Sequence, residues 1–164
     1  MKTNGSSRPE PPNCSGKRFA IVAARFYGEL ADQLVDGAMR ALRDCGVAGD
    51  DVDVYNVPGC FELPLACRNL VDTDRYDALV ALGVVIRGET PHFDFVAGEC
   101  ARGIMDVQLA SGVPIGFGVL TTEDVAQAQE RADPQRGDKG YEAAIAAATL
   151  LRITAGVPRA GFRS

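Results

Sequence analysis

The sequence predicts one open sheet of parallel strands covered by helices, and three observations carry that expectation. Short apolar runs alternate with stretches of helical apolar spacing four times along the chain. The most apolar run, Ala78-Leu-Val-Ala-Leu-Gly-Val-Val-Ile86, is continuous rather than alternating, as a strand buried on both faces requires. A length of 164 residues with 46% hydrophobic content fills one core well and two only poorly.

Taken in order, residues 1–16 (MKTNGSSRPEPPNCSG) are rich in Pro, Gly and Ser and read as a flexible arm, mobile or ordered only on a neighbour. Residues 17–156 form the domain and 157–164 a tail. Residues 18–24 read as a buried strand. Residues 29–45 place Leu30, Leu34, Val35, Ala38, Met39 and Leu42 on one helical face, and Gly46 ends that helix. A second strand spans 51–57 and is broken by Pro58-Gly59. A helix over 61–71 tolerates Pro64 in its first turn. The apolar run 78–86 is the central strand, followed by a long helix over about 92–110. Residues 113–120 are the fourth strand. A helix from Thr121 to Ala132 begins with Thr121 and Asp124 spaced as a capping box. Residues 139–155 form a last, Ala-rich helix whose small side chains suit close packing, internal or between subunits.

This succession is the flavodoxin-like three-layer α/β/α sandwich with a four-stranded parallel sheet. Ligands of such sheets bind beyond the carboxyl ends of the strands.

Composition removes several function classes. The net charge of -5, with no Lys/Arg run, argues against a nucleic-acid partner. No apolar stretch approaches the roughly 20 residues of a membrane span, and the N-terminus has no apolar core of a secretory signal. Five cysteines without metal spacing read as free thiols in a reducing cytoplasm, and a single histidine makes a zinc site improbable. Walker, dinucleotide-binding and GxSxG patterns are all missing from the sequence.

The four loops after the strands hold the candidate chemistry. After the first come Arg25-Phe26-Tyr27-Gly28, where Phe26 reads equally as a stacking surface or as a cap on the core. After the second come Pro58-Gly59-Cys60-Phe61-Glu62, either a turn with a helix-start acid or a place for close backbone approach. After the third comes Val84-Val-Ile-Arg-Gly-Glu-Thr-Pro-His-Phe-Asp94. There Thr90 can cap the next helix with Pro91 in its first position, and Gly88-Glu89-Thr90 offer successive N–H groups to an anion. His92 stands in the first turn, where the positive helix end favours a neutral ring; a surface histidine in a cap is the plain alternative. After the fourth strand, Arg131 and Lys139 can contact phosphate, or simply satisfy helix ends.

These loops, in this order, resemble the 6,7-dimethyl-8-ribityllumazine synthase family, over about residues 18–154. The carrying motifs are Ala24-Arg25-Phe26, Val57-Pro-Gly-Cys-Phe-Glu-Leu-Pro64, Leu82-Gly-Val-Val-Ile-Arg-Gly-Glu-Thr-Pro-His92 with Asp94, Gly118-Val-Leu-Thr-Thr-Glu123, Glu130-Arg-Ala132 and Asp138-Lys-Gly140. The resemblance implies a transferase of riboflavin biosynthesis. It would condense 5-amino-6-(D-ribitylamino)uracil with 3,4-dihydroxy-2-butanone 4-phosphate, without metal or organic cofactor. It implies ring stacking by Phe26, and ribityl and ring contacts from the Gly59 and Cys60 backbone with Phe61 and Glu62. Val85 and Ile86 would meet the pyrimidine edge. Gly88, Glu89, Thr90 and Arg131 would hold the phosphate, and His92 would transfer the proton. Phe117, Arg131 and Lys139 would come from the neighbouring subunit of a homopentamer, and riboflavin synthase is a further partner the resemblance raises.

Tyr27, Cys60 and Glu89 depart from the commoner family pattern and bear on pocket shape. The short loop from Ala132 to Lys139 is like that of members whose pentamers close into icosahedral shells, whereas Pro134 is unlike them. Pentamer, paired pentamers and shell stay open. Two rivals remain: a pentameric relative that binds riboflavin without turning it over, and an FMN electron carrier. The second would need a hydroxyl-rich phosphate loop where Arg25-Phe26-Tyr27 stand.

Overall fold

The computed structural model describes residues 10–153 and residue 155. The tail 157–164 and residues 1–9 of the expected arm lie outside the described residues. Cys14, assigned to that arm, is instead buried: its N–H donates to the Cys45 carbonyl at 2.7 Å and its side chain joins the main core.

Four strands, β1 (Phe19–Ala24), β2 (Val52–Val57), β3 (Ala78–Ile86) and β4 (Ile115–Thr122), form one parallel sheet in the order β2-β1-β3-β4. The helices are α1 (Gly28–Asp44), α2 (Leu63–Asp72), α3 (His92–Ser111), α4 (Val125–Ala132) and α5 (Lys139–Ile153). This is the expected flavodoxin-like three-layer arrangement.

Strand alternation divides the core in two. Phe19 and Ile21 of β1 and Val80 and Leu82 of β3 point toward α1 and α5. Ala20, Val22 and Ala24 with Leu79 and Ala81 point toward α2 and α3. Both faces of β1 and β3 are thus covered, which is why their sequences are continuously apolar. Each fully buried Ile, Leu or Phe here contributes about 1.5–3 kcal/mol of transfer free energy.

Two glycine positions fix how closely α1 and α5 approach. A Cβ on Gly140 would run into the Leu34 carbonyl, and one on Gly37 would stand 2.8 Å from the Tyr141 nitrogen. The end of α1 is as expected. Gly46 has φ of 79°, its N–H reaches the Arg43 carbonyl and that of Val47 reaches Leu42, closing a Schellman turn.

Two helix starts differ from expectation. β4 runs two residues further than predicted, because Thr121 and Thr122 pair with Val85 and Ile86. The helix begins only at Val125, and Asp124 rather than Thr121 caps it, accepting from the Gln127 N–H at 2.8 Å. Thr90 likewise does not cap α3. Pro91 takes the N-cap position, one residue before the expected place, with no side-chain cap, and the Asp94 N–H closes the turn on the Pro91 carbonyl at 3.0 Å.

Candidate functional site

The chain leaves β1 into α1 and β3 into α3 on opposite faces of the sheet, so a crevice opens between these neighbouring strands at their carboxyl ends. Such a switch point is where doubly wound sheets bind ligands. A cavity of about 540 Å³ lies there. Its walls come from the loop after β1 (Phe26), the turn after β2 (Gly59, Cys60, Phe61 and Glu62), the end of β3 (Val85 and Ile86) and the start of α3 (His92).

Local structure explains each placement. Phe26 is 74% exposed, and the ring of Tyr27 meets it edge-on at 5.0 Å, holding it as a flat apolar surface. Phe61 is exposed on a short 3-10 turn, Cys60–Glu62. Glu62 Oε2 accepts the Gly59 N–H at 3.0 Å, so the acid orders the very turn that lines the cavity. His92, at the start of α3, is exposed on the cavity rim.

Cys60 is the exception to the inviting surfaces. It is buried at 4% exposure, with Sγ 3.8 Å from the Val84 carbonyl and packed over Gly83, where a Cβ would stand 2.5 Å from the sulfur. Burial pushes its thiol up to about 11; the bond to Val84 opposes the rise and the Glu62 charge adds to it. A neutral, buried thiol is no nucleophile at pH 7. The other four cysteines are free and buried as well.

A second cavity, of about 420 Å³, lies along the outer edge strand β4 and gathers Phe117, Arg131 and Lys139 with Glu142. Phe117 is 44% exposed. Arg131, in the last turn of α4, donates to the Gln127 carbonyl at 3.2 Å and has no carboxylate partner among the described residues. Lys139 at the start of α5 is paired with Glu142 at 2.8 Å, so an incoming anion must compete with that carboxylate. The turn before it rests on Asp138, a residue with φ of 49° whose carboxylate, 1% exposed, takes two bonds from Arg40 at 2.8 and 3.2 Å.

The predicted set therefore falls into two clusters with no lining residue in common. Gly88, Glu89 and Thr90 line neither cavity; they form an exposed loop between β3 and α3. Phe95 and Val96 on the first cavity and Glu142 on the second were not expected as lining residues, whereas Tyr27, expected to bear on pocket shape, does line the first. Phe95 follows His92 by three residues, so the expected helix start near 92 already put both on one face. Arg87 was also missed: the register pairs Ile86 with Thr122, which brings Arg87 beside Glu123. That adjacency needs the strand order and cannot be read along the chain.

Among the described residues no group of three or more His, Cys, Asp or Glu side chains is placed to hold a metal, and no helix is long and apolar enough to cross a membrane.

The family model of 6,7-dimethyl-8-ribityllumazine synthase matches residues 16–155. A 6,7-dimethyl-8-ribityllumazine synthase of Desulfatibacillum aliphaticivorans is 44% identical over 141 residues, 86% of this chain and 91% of that protein. One from Nitratidesulfovibrio vulgaris (strain DSM 19637 / Miyazaki F) is 46% identical over 141 residues, 86% of this chain and 90% of its own. One from Syntrophus aciditrophicus (strain SB) is 46% identical over 138 residues, covering 84% and 90%. With its switch-point cavity, its histidine on the rim and these relatives along nearly its whole described length, the chain belongs to the 6,7-dimethyl-8-ribityllumazine synthase family.

Proposed function

We propose that the protein is a transferase that condenses 5-amino-6-(D-ribitylamino)uracil with 3,4-dihydroxy-2-butanone 4-phosphate to 6,7-dimethyl-8-ribityllumazine, releasing phosphate and water. The single observation that carries the site assignment is the division of the expected side chains, Phe26, Glu62 and His92 on one cavity and Phe117, Arg131 and Lys139 on another, on one chain. Neither cavity alone offers a ring platform, a proton carrier and a phosphate cation together. A second copy seated with its β4 edge against the first cavity supplies all three.

In this reading Phe26 stacks on the pyrimidine, and the Val85 and Ile86 backbone meets its edge. The Gly59–Glu62 turn receives the ribityl chain. Gly88, Glu89 and Thr90 offer N–H groups to the phosphate, and Arg131 of the neighbouring subunit adds a bidentate cation. The Glu89 carboxylate turns away from the anion. Phe117 and Lys139 of the neighbour close the site. The uracil's amine attacks the ketone and water is lost as the imine forms. His92 takes a proton from carbon while phosphate departs; the enol so formed becomes a ketone, the ribityl-bearing amine closes the ring on it, and His92 returns the proton as a second water is lost. The N–H groups and Arg131 stabilise the leaving dianion. Much of the acceleration is placement of two reactants, one of which already carries a reactive amine.

An oligomer is further supported by exposed apolar side chains outside the cavities: Leu65 on α2 and Met105 and Leu109 on α3, which are 49–75% exposed. We assign the assembly as a homopentamer or a multiple of pentamers acting in the cytoplasm, with riboflavin synthase as a candidate associate. Mixing purified protein with the two substrates and following lumazine absorbance and phosphate release tests the reading, with light scattering on the same sample reporting the assembly. Tight riboflavin binding with no phosphate released would instead establish the non-catalytic, flavin-binding alternative.

A further inference from the structure

Arg87 leaves the end of β3 as the first residue of the loop that carries His92. Its N–H donates to the Thr122 carbonyl at 2.9 Å, extending the β3–β4 ladder by one step. Its guanidinium then makes three contacts with two parts of the chain. Nε bonds Glu123 at 2.9 Å, beyond β4; one terminal nitrogen bonds Asp94 at 3.4 Å, in the first turn of α3; and the guanidinium carbon lies 4.3 Å from the centre of the Phe93 ring. Phe93 and Asp94 are the two residues directly after His92. Gly88 to Pro91, between the arginine and the helix, are exposed, and among the described residues no other side-chain hydrogen bond ties this stretch to the sheet.

The clamp is too exposed to matter much for stability. Side-chain exposures are 40% for Arg87, 61% for Asp94 and 63% for Glu123, and solvent-screened pairs of this kind contribute little. What it does constrain is geometry, since it fixes where the first turn of α3 sits relative to the strand ends. It also sets local charge. His92 shares the lining of the cavity with Glu62 and Tyr27 and has Glu89 and Asp94 on its own segment. Arg87 neutralises Asp94 and Glu123; in return Glu123 first, and Asp94 next, hold the guanidinium protonated above its ordinary range.

Resting on the catalytic reading above, we propose that Arg87, with Glu123 as its anchor, is the positioning residue that sets the place and the charge environment of His92 and of the phosphate loop. The arginine touches no reacting atom. It acts by holding Phe93 and Asp94, and through them the imidazole.

The test uses tag-free full-length protein, in which His92 is the only histidine, so its ring-proton NMR signal is unambiguous. Wild type, Arg87→Ala, Arg87→Lys and Glu123→Gln are compared by that titration, by steady-state kinetics across pH, by thermal unfolding and by assembly mass. In Arg87→Ala, Asp94 and Glu123 lose their counter-charge, so the imidazole holds its proton to higher pH and the acid limb of kcat moves up with it. kcat falls roughly tenfold or more, within the hundredfold that an ångström of misplacement costs, while unfolding temperature and assembly stay as in wild type. Arg87→Lys restores the charge and returns the titration toward wild type, yet kcat stays low because lysine lacks the planar, stacked fork. An unmoved His92 titration with unchanged kcat in Arg87→Ala overturns the proposal, as does a loss of rate that tracks loss of fold or assembly. If wild type itself makes no lumazine, the catalytic reading fails, while the titration still decides whether Arg87 governs His92.

Discussion

Asp138→Asn separates charge from shape at the turn that presents Lys139. Asparagine tolerates the left-handed backbone, so the φ of 49° need not change. What is lost is the negative charge that faces Arg40 through two bonds of 2.8 and 3.2 Å. Breaking a fully buried pair costs about 3–5 kcal/mol, but Arg40 is 30% exposed and keeps Asp36 at 2.9 Å. The amide oxygen also retains one of the two bonds. The loss is then about 2–3 kcal/mol, the value of one charge-assisted bond. For a chain of this size that is about 5–10 °C in Tm. Scanning calorimetry at fixed protein concentration is the assay, since assembly makes Tm concentration-dependent. Asp138→Ala should fall further, because a left-handed alanine adds about 1–2 kcal/mol. The reasoning fails if Asp138→Asn melts within about 1 °C of wild type while Asp138→Ala drops, for then the turn's shape alone matters.

Other outcomes follow from the same geometry. His92→Ala should slow turnover by about a hundredfold or less and leave a measurable rate, because placement supplies much of the catalysis; a dead variant that still binds both substrates contradicts this. Arg131→Ala should raise KM for the butanone phosphate about tenfold or more, in line with a lost charge-assisted bond, and leave KM for the aminouracil unchanged; retained phosphate-substrate affinity removes Arg131 from the site. Cys60→Ala should keep kcat within about threefold of wild type, since a thiol at about 11 is not a reactive thiolate; a large loss of kcat assigns the sulfur a chemical role. Stability should fall in alkali. Burial raises Cys45 and Cys60 to about 11 and Cys67 and Cys100 to about 12, so their contribution is complete below the ordinary value of 9.0 and lost as pH rises through the native values. Each thiol adds a slope of about 1.4 kcal/mol per pH unit in that window. Urea midpoints at pH 8 and pH 10 measure it, and equal midpoints refute it.

Much of the fold is legible because burial on two faces leaves an unambiguous mark. Ala78–Ile86 is read to the residue, and Gly46 marks the end of α1 through the left-handed turn it adopts. The misreadings fall at helix starts, where several residues compete for one role. Thr121 has the chemistry of a cap, but cross-strand pairing with Val85 keeps it extended, and Asp124 takes the position. Thr90 loses its expected role because the turn before α3 closes through the Pro91 carbonyl.

Candidate site residues at or just past a strand end, such as Phe26, Gly59 and Ile86, are legible from position alone, since parallel strands end on one side. The separation of Phe117, Arg131 and Lys139 from the other cavity is not, because it depends on β4 being an edge strand. Nor is the Arg87 clamp, which depends on the β3–β4 register.

The central claim is a site divided between copies of this chain, and co-assembly of two impaired variants tests it most directly. His92→Ala damages one cavity and Arg131→Ala the other. Unfolded together, refolded, shown by mass to share assemblies and assayed at butanone phosphate well below its KM, where both parents are impaired, they should recover about a quarter of wild-type turnover, because random pairing joins an intact half to an intact half at that frequency. Mixed assemblies no more active than the better parent would contradict a shared site.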